Sequence, residues 1–179
     1  MTAAVELLFD ERLENRVRAL WRRLAGVGIS TPDQWPGPKR RPHISLAVSD
    51  ALEPSHGEEL ATLAAPAAGV RIRMESVGWF SGGVLYLAPA WSAELTTVQA
   101  ALWERMGSWS VGPWPEYEPG RWVAHCTLAT RLDPTLLGPA LTTVTEFSPL
   151  EGVVRGLGLG VDGELTWEKD FRDGPARPV

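Results

Sequence analysis

Two short stretches of the chain repeat the order histidine, any residue, hydroxyl, leucine, alanine. They are residues 43–47 (His-Ile-Ser-Leu-Ala) and 125–129 (His-Cys-Thr-Leu-Ala). A histidine titrates near pH 6.5, so two imidazoles that face one cleft can act as a base and an acid at neutral pH. Hydroxyl groups beside them can hold the non-bridging oxygens of a phosphate. The pair therefore favours displacement at phosphorus, with one imidazole taking a proton and the other giving one.

Both stretches are typical of β-strands that have one apolar face and one polar face. Side chains two positions apart leave a strand on the same side. His43 therefore shares a face with Ser45, and His125 shares a face with Thr127. The opposite faces carry the apolar residues Ile44, Leu46, Val48, Cys126 and Leu128. We expect these apolar faces to enter a core and the histidine faces to line a site.

Other site chemistries fit the sequence less well. Neighbouring strand residues point to opposite faces, which argues against Cys126 as a metal ligand beside His125 or as its nucleophile. We predict no metal site. The glycine-rich stretch 156–160 does not open a helix, so it forms no phosphate-binding or dinucleotide fingerprint. The third histidine, His56, lies in a predicted turn, and we interpret it as a surface or packing residue.

The predicted elements contain the run histidine strand, helix, hairpin twice. Alternation and helical spacing first predict a strand at 3–9, a helix after Asp10, the first histidine strand, a helix at 58–65, and a hairpin at 69–80 and 84–88. They next predict a helix at 92–106, the second histidine strand at 122–130, a helix to 143, and a hairpin at 152–160 and 164–171.

The repeated order indicates two lobes related by an approximate two-fold axis, which would bring the two histidine faces together across a central groove. A chain of 179 residues is long enough for one domain with a sizeable core. We therefore predict a single bilobal domain over residues 1–171, followed by a C-terminal tail at 172–179.

The net charge of −5 argues against a protein that grips long nucleic acid through its phosphates, since such binding needs a broad Lys/Arg surface. A local basic cluster can still bind a small anion or an RNA end. Residues 39–41 (Lys-Arg-Arg) form such a cluster directly before His43. It is either a solvated loop or a guide for an anionic substrate, and Arg41 is its candidate binding residue.

The beginning of the chain lacks the basic start and long apolar run of a signal peptide. No apolar run approaches the roughly 20 residues of a membrane span. The single cysteine excludes an internal disulfide. We expect a cytoplasmic protein that has no membrane partner and acts as a monomer.

The paired motifs resemble those of the two-histidine (2H) phosphoesterase superfamily, in particular the 2′-5′ RNA ligase-like RNA 2′,3′-cyclic phosphodiesterases. The resemblance implies an α+β fold with two antiparallel sheets flanked by helices, and with the site in the groove between the sheets. It implies opening of a 2′,3′-cyclic phosphate on a nucleotide or RNA end without metal or cofactor. By the same resemblance, His43 gives a proton to the leaving 3′ oxygen, His125 activates water, and Ser45 and Thr127 hold the phosphate.

The sequence departs from the pattern of this family at two positions. Ser45 stands where the family often has threonine, which keeps the hydroxyl donor. Thr130 stands where many members place an arginine, and the arginine follows as Arg131. Six residues along a strand cover roughly 20 Å, which is too far for Arg131 to contact a phosphate beside His125. This departure bears on RNA-end specificity more than on hydrolysis.

Aromatic residues of the predicted hairpin are candidates for stacking on a nucleobase. They are Trp79, Phe80 and Tyr86, and packing in the core is the alternative for each. Two further functions stay open. One is a non-catalytic protein that binds nucleotides or RNA ends, and the other is an enzyme on another phosphodiester, such as a cyclic ADP-ribose phosphate or a 2′-5′ linkage.

Overall fold

The computed structural model describes residues 2–37, 40–109, 112–145 and 149–173. Within these residues the strands are β1 (Ala3–Phe9), β2 (His43–Ser49), β3 (Arg71–Phe80), β4 (Val84–Pro89), β5 (Cys126–Ala129), β6 (Leu150–Val161) and β7 (Glu164–Asp170). The α-helices are α1 (Glu11–Gly26), α2 (Gly57–Ala64), α3 (Ala93–Ser108) and α4 (Leu137–Thr145). The predicted α+β class and the repeated order of elements are confirmed.

All strand pairings between these elements are antiparallel, and β6 belongs to both halves of the sheet. Its first residues, Leu150–Val153, pair with β3, and Val154–Val161 pair with β1. One half has the order β2-β1-β6-β7 and the other has the order β6-β3-β4-β5. The two predicted sheets therefore share one strand and form a continuous structure.

The second histidine strand is shorter than predicted. It was expected at 122–130, but β5 covers only Cys126–Ala129, so His125 directly precedes it. The ladder with β4 ends at the pair Leu87 and Cys126. Two positions further along β4 is Pro89, which has no N–H to continue the pairing.

The two long helices bury the apolar faces that their sequence spacing predicts. The Asp10 side chain caps α1 by accepting from Leu13 N at 2.8 Å, and Ser92 caps α3 in the same way through Leu95 N. The buried residues are Leu13, Val17, Leu20, Trp21 and Leu24 in α1 and Leu95, Val98, Leu102 and Met106 in α3. Both helices thereby pack firmly on the sheet.

Each long helix also contacts the histidine strand of the other half. From α1, the Trp21 Nε1–H donates to the carbonyl oxygen of Thr127 at 3.0 Å. From α3, the Gln99 side chain donates to the carbonyl oxygen of Leu46 at 3.3 Å. The backbone N–H of His43 donates to the sulfur of Cys126, which ties β2 to β5 directly. These contacts bring the two histidine strands side by side.

Some predictions fall on residues that the structure does not describe. Lys39 of the basic cluster and residues 174–179 of the predicted tail lie outside the described ranges. Within those ranges, no helix combines the length and apolar character needed to cross a membrane.

Candidate active site

The two imidazole rings are held by the same kind of hydrogen bond. Nδ1 of His43 lies 2.7 Å from the carbonyl oxygen of Arg41, and Nδ1 of His125 lies 2.8 Å from that of Val123. In both cases the carbonyl belongs to the residue two positions earlier. Because a carbonyl can only accept, this contact assigns the proton to Nδ1 in the neutral ring. Nε2 of each ring is left to accept or donate a proton in the groove.

The surroundings of the two Nε2 atoms differ. Nε2 of His43 lies 3.5 Å from Oε1 of Glu6. The His125 ring instead meets two aromatic rings edge to face, with centroids 5.0 Å from Phe80 and 5.4 Å from Tyr86. The His43 imidazole therefore has a carboxyl neighbour, whereas the His125 imidazole packs against aromatic rings.

Burial lowers the pKa of His125 below its ordinary value of 6.5. The bond from its Nδ1 to the Val123 carbonyl opposes this shift, and the nearby His43 adds to it. His125 is therefore predominantly neutral at pH 7, with a lone pair on Nε2 that can take a proton. The His43 ring thus lies near enough to His125 to affect its pKa.

The hydroxyl residues lie where strand alternation predicts. Ser45 and Thr127 are half-buried on the sides of their histidines, while Ile44, Leu46, Cys126 and Leu128 are fully buried on the other sides. The Ser45 hydroxyl is hydrogen-bonded to the hydroxyl of Tyr117, and burial raises the pKa of that phenol to about 12. Tyr117 therefore keeps its proton at neutral pH and adds a hydroxyl next to Ser45.

The predicted binding residue Tyr86 lies beside His125. Its strand neighbours are Gly78 on β3 and Thr127 on β5, and its ring stacks on Phe80 at a centroid distance of 4.2 Å. The ring lies over Gly78, where a Cβ would collide with it. Trp79 packs against the core instead. Of the three aromatic candidates, Phe80 and Tyr86 are thus brought to the site.

Two adjoining hollows flank the histidines. One, of about 400 Å³, is lined by residues that include Glu6, Arg40, His43, Ser45 and Thr127. The second, of about 540 Å³, is lined by Phe80, Trp114, Glu116, Tyr117, Arg121, Trp122, Val123 and His125. Trp114 lines both hollows. The groove is therefore polar near His43 and largely aromatic near His125.

The guanidinium group of Arg41 is bound to carboxylates and not to either histidine. That group binds the carboxylates of Glu14 at 2.9 Å and Glu168 at 2.8 Å. Arg41 borders a hollow of about 1040 Å³ against α1 and β6 that contains neither histidine, and it also lines the hollow that contains His43. Its neighbour Arg40 lies on the side of Glu6 and donates to the carbonyl oxygen of Asp162 at 3.1 Å. Arg40 and Arg41 therefore both border the polar hollow, with their guanidinium groups bonded elsewhere.

The remaining sequence candidates lie apart from this chemistry. Arg131 is exposed and has a positive φ of 52° two residues after the end of β5, so strand alternation does not extend to it. His56 stacks on Trp109 at 4.4 Å. Cys126 is fully buried, and burial raises the pKa of its thiol to about 12, as expected for a packing residue. No group of three or more potential metal-binding side chains occurs among the described residues.

Glu6 is a site residue that the sequence reasoning missed. It lies in β1 opposite Ser45 of β2, with only 7% of its surface exposed. Burial raises the pKa of its carboxyl, while His43, Arg40 and Arg41 act in the opposite direction. The sequence signal was a single charged residue between the apolar residues of the first strand, Ala-Ala-Val-Glu-Leu-Leu-Phe. A buried strand rarely contains a carboxyl without a partner.

Comparisons with known proteins agree with this architecture. Residues 9–164 match the family model of the 2′-5′ RNA ligase superfamily. A search of curated protein sequences finds no significant match. The structure resembles TT0787 of Thermus thermophilus, with a TM-score of 0.60, 17% identity, and coverage of 96% of this chain and 98% of that one.

A second similar structure is that of E. coli LigT complexed with 3′-AMP. It has a TM-score of 0.56 and 13% identity, and the match covers 88% of this chain and 84% of LigT. A third, described as a phosphoesterase, has a TM-score of 0.55 and 14% identity, with 88% and 86% covered. These likenesses are at the level of the fold.

Proposed function

Because the chain belongs to the 2′-5′ RNA ligase superfamily, we propose that it is a metal-independent phosphodiesterase that opens 2′,3′-cyclic phosphates of nucleotides or RNA ends. The observation that carries this proposal is the matched pair of Nδ1–carbonyl hydrogen bonds on His43 and His125. These bonds leave two Nε2 atoms available in one groove. An acid and a base on opposite sides of a phosphate need this arrangement.

In the proposed reaction, Nε2 of His125 takes a proton from water while the water oxygen attacks phosphorus. The bond from phosphorus to the 3′ oxygen breaks, and Nε2 of His43 gives that oxygen a proton. The product is a 2′-phosphate with a free 3′ hydroxyl. The hydroxyls of Ser45 and Thr127 stabilise the charge on the non-bridging oxygens. Each proton-transfer partner contributes a rate factor of roughly 100 to 10,000.

The aromatic end of the groove supports a nucleoside as the substrate. Phe80 and Tyr86 present a stacked pair beside His125, and Trp114 lies further along the same hollow. Bases stack on such rings without much sequence preference. The similar E. coli LigT structure contains the mononucleotide 3′-AMP. The proposal includes a cytoplasmic, monomeric enzyme whose residues 1–171 act as one domain.

The test is hydrolysis of 2′,3′-cyclic nucleotides in buffer that contains EDTA. We expect turnover by the wild-type protein and losses of at least about 100-fold in His43→Ala and in His125→Ala. His56→Ala, which removes a histidine that stacks on Trp109, is the matched control and should keep wild-type activity. Tight nucleotide binding without turnover would instead identify a non-catalytic binder.

A substrate panel separates the proposed activity from related ones. It should include a cyclic ADP-ribose phosphate, a 2′-5′ dinucleotide, and a pair of RNA ends for the reverse ligation. We expect the highest kcat/KM on the 2′,3′-cyclic nucleotide. The net charge of −5 disfavours large RNA as the main substrate. A clearly higher kcat/KM on another member of the panel would show that the proposed substrate is wrong. The proposed paired-histidine mechanism would then apply to that other substrate.

A further inference from the structure

We propose that Glu6 is the positioning residue that keeps a proton on Nε2 of His43 and thereby makes this histidine, and not His125, the acid. The inference rests on the proposed function and goes beyond it. The motifs around the two histidines are alike, and Nδ1 of each ring bonds to a backbone carbonyl oxygen. Neither feature therefore shows which histidine is the acid and which is the base. Glu6 is the group that makes the two ends of the site chemically different.

The fold builds a place for this carboxyl. Glu6 lies on β1 and pairs with Ser45 of β2 on one side and Gly158 of β6 on the other. Its side chain therefore projects from a central strand of the sheet. A Cβ on Gly160 would come within 2.6 Å of Oε1, which means that this glycine leaves the space that the carboxyl occupies. The result is a carboxyl with 7% exposure and its Oε1 at 3.5 Å from Nε2 of His43.

The charged and titratable groups around Glu6 come from several elements. His43 is on β2, Arg40 and Arg41 lie on the loop before it, and Tyr117 lies beside Ser45. Burial disfavours an isolated carboxylate, whereas the two arginines and a protonated His43 favour one. In this setting the carboxyl and the imidazole can hold one proton between them.

His125 has no equivalent partner. Among the described residues, no carboxylate lies within ion-pair distance of its ring, and Phe80 and Tyr86 pack against it instead. Burial in this aromatic environment favours the neutral ring. The two histidines therefore differ in their neighbours, with a buried carboxyl beside Nε2 of His43 and aromatic rings against His125. In the proposed reaction, His43 transfers its proton from Nε2 to the leaving oxygen and later regains one from solvent, while Glu6 stays beside the ring.

The test is an NMR titration of the imidazole groups in the full-length protein, alongside the pH dependence of turnover. The variant is Glu6→Gln, which keeps the shape of the side chain and removes its charge. We expect His43 to titrate about one pH unit lower in this variant than in wild type, as removal of a neighbouring opposite charge predicts. The alkaline limb of the rate profile should move the same way. His125 and His56 should titrate as before.

Three further variants sharpen the experiment. Glu164→Gln removes an exposed carboxylate at the start of β7 and should leave the His43 titration unchanged. Glu6→Asp keeps the charge and should restore part of the shift. Gly160→Ala displaces the unchanged carboxyl, and it should move His43 in the same direction as Glu6→Gln. It therefore provides a second route if Glu6→Gln does not fold.

The result that overturns the proposal is a His43 titration that is the same in wild type, Glu6→Gln and Gly160→Ala. A shift of His125 as large as that of His43 also overturns it, because Glu6 then does not distinguish the two rings. The failure of the proposed function has a different signature. In that case no cyclic phosphate is opened by the wild-type protein, while the titrations still report whether Glu6 acts on His43.

Discussion

At the scale of single residues, the two histidines have like motifs and unlike surroundings. The sequence places a hydroxyl two positions after each histidine, and the structure adds a carbonyl bond to each Nδ1. The difference comes from residues distant in the chain. Glu6 reaches His43 from β1, and Phe80 and Tyr86 reach His125 from β3 and β4. The proposed catalytic roles thus depend on neighbours that no local motif contains.

Tyr86 offers a test of nucleobase binding at this scale. The change Tyr86→Ala removes the ring that stacks on Phe80, and loss of one base–aromatic contact costs about 1–3 kcal/mol. We therefore expect KM for a 2′,3′-cyclic nucleotide to rise by at least about fivefold. Steady-state kinetics measure this effect.

A substrate without a base provides the control. For glycerol cyclic phosphate, Tyr86→Ala should have little effect on KM, because no base is present to stack. Trp91→Ala, at a tryptophan that is 81% exposed, should leave both substrates unaffected. Equal increases in KM for the two substrates would contradict base stacking by Tyr86.

At the scale of elements, much of the fold could be predicted from the sequence. Helical spacing identified the buried faces of α1 and α3, and strand alternation identified the buried side of β2. These patterns are local, since each follows from the geometry of one helix or strand. The paired motifs also predicted that His43 and His125 belong to one site, and this stays a prediction.

The parts that could not be predicted depend on contacts between distant segments. The predicted strand at 152–160 is in fact β6, which is continuous over Leu150–Val161 and joins both halves of the sheet. Gly160 leaves space for Glu6, which only the pairing of β1 with β6 reveals. The binding of Arg41 to Glu14 and Glu168 also depends on the packing of other elements beside the loop.

The cross-strand packing of Tyr86 on Gly78 gives a prediction for the β3–β4 hairpin. In Gly78→Ala, the new methyl group collides with the Tyr86 ring. Overpacking of this kind costs about 1–3 kcal/mol, so the free energy of unfolding should fall by that amount. Activity on cyclic nucleotides should also fall, because the ring is displaced from its place beside His125. Urea unfolding and the turnover assay measure the two effects.

A second glycine provides the matched control. Gly107 lies in α3, and a Cβ built there meets nothing within 4 Å. Alanine is favoured over glycine inside a helix by up to about 1 kcal/mol, so Gly107→Ala should be neutral or stabilising and fully active. Equal stability of the two alanine variants would show that the Tyr86 ring moves aside freely.

At the scale of the whole molecule, the site forms because each half supports the other. His43 belongs to one half of the sheet and His125 adjoins a strand of the other half. Trp21 binds the carbonyl of Thr127 across the halves, and Trp122 binds that of Ser45 at 3.0 Å. The shared strand β6 fixes the relation between the two halves. The proposed acid and base are therefore positioned by contacts between both halves of the sheet.

The most direct test of the central claim is the pH dependence of kcat/KM on a 2′,3′-cyclic nucleotide in metal-free buffer. The base must be unprotonated, and burial lowers the pKa of His125, so the rate should fall only as pH drops below 6.5. The acid must be protonated, so the rate should fall again at high pH. We predict a bell-shaped profile whose acid limb is kept in Glu6→Gln. A profile with a single limb, or an acid limb that lies above pH 6.5, would contradict paired-histidine catalysis with His125 as the base.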